Sequence, residues 1–128
     1  MGVSEGKHKI LLVEDELDTV RGLSELLGEE GFLVLTATNV AEAVKLLTED
    51  KIDLVLTDLR MPGAGGSDLI REANERFPDL PVFVMTGCPD IDRYIEPQLA
   101  GQLELIPKPI DCQTLLTRVR SVLSVQAS

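Results

Sequence analysis

The chain has 128 residues, enough for one domain of ordinary size. Twelve Lys and Arg against 22 Asp and Glu leave a formal charge of −10, and with no basic run this argues against nucleic acid or an anionic membrane as a direct partner. No apolar stretch reaches the ~18 residues of a membrane span, the start MGVSEGKHK has no signal-peptide core, and Cys88 and Cys112 form neither a CxxC pair nor a histidine-spaced metal set, with His8 the only histidine. These features read as a cytoplasmic protein with two free thiols. A single domain is expected across 1–128, with its core over about 8–124 and frayed ends.

Two apolar periodicities alternate along the chain. The first strand-length run is Ile10 to Val13, followed at once by Glu14 and Asp15. Val20, Leu23 and Leu27 then recur at helical spacing, and Gly31 marks the exit into a second run, Phe32 to Thr36. A second helical stripe (Val40, Ala43, Val44, Leu47) is headed by Asn39 and Glu42, a capping-box variant. The third run, Ile52 to Thr57, ends against Asp58 and the turn LRMPGAGG. Leu69, Ile70, Ala73 and Phe77 make the next stripe, with Ser67 or Asp68 as its cap, and Val82 to Met85 is the fourth run, closed by Thr86. In the fourth connection Ile91, Tyr94, Ile95 and Leu99 have helical spacing, but Pro97 among them predicts a short or broken helix. The fifth run, Leu103 to Ile106, precedes Lys108, and Leu115, Leu116, Val119, Val122 and Leu123 form a final stripe behind Asp111 as N-cap.

Five short runs alternating with helices predict an α/β domain, a parallel sheet covered on both faces by right-handed crossovers. Open sheets of this kind place their chemistry at the C-terminal ends of the strands. There the chain carries Glu14, Asp15, Asp58, Thr86 and Lys108, a set able to hold a divalent cation and a phosphoryl group.

Taken in order, the Glu14-Asp15 pair, Asp58 followed by Met61-Pro62 and a Gly-rich turn, Thr86-Gly87 and Lys108-Pro109 resemble the receiver domain of two-component response regulators and hybrid histidine kinases, over nearly the whole chain from Lys9 to about Val122. The resemblance implies a flavodoxin-like, doubly wound five-stranded sheet in the order 2-1-3-4-5 and a phosphoacceptor signalling switch. Asp58 is then the acceptor. Mg²⁺ is the cofactor, held by Glu14, Asp15, Asp58 and the backbone carbonyl of Arg60, while Thr86 and Lys108 steady the phosphoryl oxygens. The donor is a phosphohistidine on a sensor histidine kinase or histidine phosphotransfer protein. Lys108-Pro109 is expected to be cis. The domain is expected to be no turnover enzyme, catalysing only its own phosphorylation and slow dephosphorylation, and its output surface to engage a homodimer partner or an effector domain.

Three residues invite separate attention. Arg60 leaves the turn beside the acceptor and is expected to modulate the lifetime of the acyl phosphate, and Cys88 lies beside the site as a small side chain. Receivers commonly place a Tyr or Phe three residues before the Lys; this chain has Leu105, so the aromatic rotamer switch is unavailable. The expected response is an ordering or shift of the segment Gly87 to Gly101. Other chemistries fit less well. A haloacid-dehalogenase-type phosphatase needs a second Asp where Arg60 stands, and a nucleotide or flavin module needs a phosphate loop where Glu14-Asp15-Glu16 would repel one. A receiver-like module working without phosphate normally lacks one of the site residues, and all are present.

Overall fold

The computed structural model describes residues 7–58, 66–87 and 103–123. Five strands, β1 (Lys9–Val13), β2 (Leu33–Ala37), β3 (Leu54–Asp58), β4 (Val82–Thr86) and β5 (Leu103–Pro107), form one sheet in the order β2-β1-β3-β4-β5, with every neighbouring pair parallel. Four described helices accompany them: α1 (Leu17–Glu29), α2 (Val40–Glu49), α3 (Gly66–Arg76) and α4 (Cys112–Leu123).

The period of two along each strand sorts side chains onto two faces. Leu11, Val13, Val55 and Val84 pack with Ala43 and Leu47 of α2 and Leu69, Ile70 and Ala73 of α3. Ile10, Leu12, Leu54, Leu56, Phe83, Met85 and Ile106 pack with Leu23 and Leu27 of α1 and Leu115, Leu116 and Val119 of α4. Covered on both sides, β1, β3 and β4 are almost wholly buried, which is why they read as unbroken apolar runs. The edge strands β2 and β5 are more open. No described helix is long and apolar enough to cross a membrane.

Local chemistry sets the boundaries. At the end of α1 the Phe32 amide donates to the Leu27 carbonyl and the Gly31 amide to that of Gly28, both at 3.1 Å, while Gly31 has φ +95°. This is a Schellman closure, and it draws Phe32 out of the expected strand to pack with Leu27. No atom would crowd a Cβ at Gly31, so Gly31→Ala isolates the backbone cost of positive φ. It is expected to destabilise the fold by about 1–2 kcal/mol, read as an earlier denaturant midpoint with the slope unchanged.

The third strand begins at Leu54, two residues later than the apolar run starts. Asp53 is held sideways instead: its amide donates to the Lys9 carbonyl at 2.8 Å, and its carboxylate accepts from the Lys9 amide at 2.8 Å. Asn39 caps α2 as expected, accepting from the Glu42 amide at 2.8 Å, but the Glu42 carboxylate reaches past the cap to the Thr38 amide, also at 2.8 Å. Asp111 caps α4 through the Gln113 amide and the Thr114 hydroxyl. α3 begins at Gly66, ahead of the two expected caps, Ser67 and Asp68. Asp68 instead pairs with Arg71 one turn on, at 3.2 Å. The fourth connection, with Pro97 and Tyr94, lies outside the described residues.

Candidate functional site

The strand order puts the crevice between β1 and β3, where the chain turns first toward β2 and then back across the sheet. Asp58 is the last residue of β3 and is 7% exposed. Glu14 and Asp15 follow β1, which pairs with β3 through Val13 and Thr57. Thr86 ends β4, and Lys108 follows β5.

The two adjacent acids are not equivalent. A bond from the Glu14 amide to the Ala37 carbonyl at 3.0 Å carries the β1–β2 pairing one residue further, and the Glu14 side chain turns inward to 1% exposure while Asp15 stays exposed. One Glu14 oxygen, Oε2, accepts from the Glu16 amide at 3.1 Å; the other, Oε1, is buried with no hydrogen-bond partner. A buried polar atom left unpaired is costly, and a cation bound beside it would offset that cost. One carboxylate oxygen from each of Glu14, Asp15 and Asp58 lies within 4.8 Å of the other two. An all-oxygen, triply acidic set suits a hard divalent cation.

Burial pushes the Glu14 carboxyl above its ordinary range, and the charges of Asp58 and Asp15 push the same way. The Glu16 amide and the Lys108 ammonium act against them. The Lys108 amide donates to the Thr86 carbonyl at 3.0 Å, which holds the residue at the same edge, and its peptide bond to Pro109 is cis. From there Nζ lies 3.1 Å from Asp58 Oδ1. Thr86, partly buried, is fixed at the same edge by the bond its carbonyl accepts.

The structure thus gathers Glu14, Asp15 and Asp58 into one cluster, with Lys108 on Asp58 and Thr86 joined to Lys108 through its carbonyl. Leu105 lies apart on the edge strand β5, paired with Val84 and 44% exposed. Arg60 and Cys88 fall outside the described residues, as does most of the segment from Gly87 to Gly101. Two contributors escaped the sequence reading: the Glu16 amide that holds Glu14, and the buried hydroxyl of Thr57. The signal for the second was a hydroxyl at the end of an otherwise apolar run, directly before Asp58.

Comparison with known proteins gives the class that this fold and site define. The family model for the response regulator receiver domain matches residues 10–120, and the chain belongs to that family. Among curated proteins it is 34% identical over 120 residues to the response regulator protein PilR of Pseudomonas aeruginosa, covering 94% of this chain and 27% of PilR. It is 37% identical over 117 residues to the transcriptional regulatory protein CpxR of Klebsiella pneumoniae, covering 91% of this chain and 49% of CpxR. The chain therefore spans half or less of these relatives. Among solved structures, a receiver domain protein from Clostridium thermocellum superposes with a TM-score of 0.83 at 32% identity, covering 94% of this chain and 97% of that one. The response regulator TrrA of Thermotoga maritima, in complex with Mg²⁺ and BeF, superposes with a TM-score of 0.80 at 28% identity, covering 90% of this chain and 98% of that one.

Proposed function

We propose that this receiver domain accepts a phosphoryl group on Asp58 from a phosphohistidine and changes its interaction surface in response. The observation that carries the reading is the convergence on Asp58 of two further carboxylates and the Lys108 ammonium, at a strand end of a receiver fold. In the transfer, a carboxylate oxygen of Asp58 attacks phosphorus, the bond from phosphorus to the donor imidazole nitrogen breaks, and an acyl phosphate forms. Such transfers are governed by alignment and by neutralisation of charge on the equatorial oxygens.

Glu14, Asp15 and Asp58, with the Arg60 carbonyl, are the proposed holders of Mg²⁺, which when bound supplies most of that neutralisation. Lys108 pairs with the acceptor at rest and can follow the charge outward to a phosphoryl oxygen, as a flexible ammonium does. Thr86 offers a hydroxyl to another oxygen. The domain is thus a switch that modifies itself and slowly resets. It is read as a cytoplasmic protein served by a sensor histidine kinase or histidine phosphotransfer protein, passing its state to a second copy or an effector domain. With leucine and no aromatic ring at position 105, the response is assigned to the segment Gly87 to Gly101.

Incubation with acetyl phosphate and Mg²⁺ tests the reading. The expected product is an acid-stable, base-labile phosphoprotein, absent when a chelator is present. Equal labelling with and without chelator would contradict the metal assignment.

A further inference from the structure

Thr57 is a polar residue in a place where the fold has no use for one. It is 0% exposed, its register neighbours on the flanking strands are Val13 and Val84, and strand alternation puts it on the face of Val55, against α2 and α3. A valine would have nearly the same shape and the same β-branched stiffness. It would also spare the cost of burying a hydroxyl, which a hydrogen bond only offsets. The Thr57 hydroxyl makes that bond to a specific atom, the backbone carbonyl oxygen of Asp58, at 2.9 Å.

We infer that Thr57 is a positioning residue for phosphoryl transfer, holding the main chain of Asp58 on the side where the strand ends. The inference rests on the proposed role of Asp58. The ladder fixes β3 as far as Asp58, which still pairs with Met85, and the Thr57 hydroxyl adds a hold on the peptide unit that leaves Asp58. That unit is planar, so holding its carbonyl oxygen fixes ψ of Asp58 and the direction of the next N–H together. ψ of Asp58 bears on the reacting carboxylate, because it sets the main chain from which that side chain projects. Transfer to Asp58 depends on alignment more than on covalent chemistry. A hydroxyl that removes one backbone freedom beside the nucleophile therefore acts on the rate, and stability is nearly indifferent to it.

The test compares Thr57→Val, which keeps shape and loses the hydroxyl, with Thr57→Ser, which keeps the hydroxyl and loses a methyl. Phosphorylation by acetyl phosphate is followed at saturating Mg²⁺ over a range of donor concentrations, and thermal midpoints are taken on the same samples. Thr57→Val is expected to lower the maximal rate by about 3- to 10-fold, the value of one net hydrogen bond, with the half-saturating donor concentration unchanged and the midpoint equal to or above wild type. Thr57→Ser is expected to stay within about twofold of the wild-type rate although its lost methyl lowers the midpoint. The carbonyl ¹³C resonance of Asp58 should shift in the valine variant and hold in the serine variant. Wild-type rates in Thr57→Val, or equal slowing in both variants, would overturn the inference alone. A wild-type protein that takes no label would overturn the proposed function and this inference with it.

Discussion

Lys108→Ala is expected to slow phosphorylation of Asp58 by about 10²- to 10³-fold, the usual consequence of removing a preorganised group aimed at developing charge. Stability should hardly change. The side chains of the Lys108–Asp58 pair are 35% and 10% exposed, and solvent at the lysine end screens the attraction, so the pair stabilises the fold by about 1 kcal/mol at most. Lys108→Arg is expected to rescue little, because the guanidinium is wider and planar where the ammonium is a compact charge on a flexible stem. Stopped labelling reactions give the rate, and denaturant midpoints of the same proteins give the stability. A Lys108→Ala protein that lost stability and rate together would assign the lysine a structural role instead.

Glu14→Gln carries the second large effect, and its sign depends on whether metal is bound. In the metal-free protein Glu14 is a buried carboxyl with one unpaired oxygen, raised above its ordinary value of 4.5. A group raised in this way holds its proton in the folded state at pH values where the unfolded chain has released it. The stability it contributes is complete below about pH 4.5 and is lost as pH rises through the raised value. The metal-free wild type should therefore lose stability across that window, and Glu14→Gln should flatten the Glu14 part of the loss and gain about 1–2 kcal/mol at neutral pH, or several degrees in Tm. Saturating Mg²⁺ should reverse the ranking. Binding stabilises the wild type by about 2.7 kcal/mol at one hundred times Kd, and loss of one anionic ligand is expected to weaken binding about a hundredfold, leaving the variant only about 0.4 kcal/mol at the same Mg²⁺. Midpoints measured from pH 4 to pH 8, with and without Mg²⁺, contain both halves of the expectation. Identical Mg²⁺ stabilisation of the two proteins would remove Glu14 from the metal site.

Much of this site was legible because burial on both faces leaves a strong mark. β1, β3 and β4 are enclosed, so their sequences are unbroken apolar runs, and the polar residue ending each run falls at the chemical edge of the sheet. The boundaries were less legible, since long-range bonds set them. Asp53 leaves the third strand for Lys9, 44 residues away, and Phe32 leaves the second to close α1. The division of labour between Glu14 and Asp15 was hidden too. Side by side they look interchangeable, and only the bond from the Glu14 amide to Ala37 turns one inward and leaves the other in solvent. In the sequence Thr57 is one more strand former, because a bonded hydroxyl and a methyl look alike in a hydropathy pattern.

The location of the phosphoryl group is the most direct test of the account. After labelling with acetyl phosphate and Mg²⁺, borohydride reduction converts an aspartyl phosphate to homoserine, and peptide mass spectrometry locates the change. One modified residue is expected, Asp58, with no modification anywhere in Asp58→Asn. Reduction at another acid in the wild-type protein, or undiminished labelling of Asp58→Asn, would contradict it.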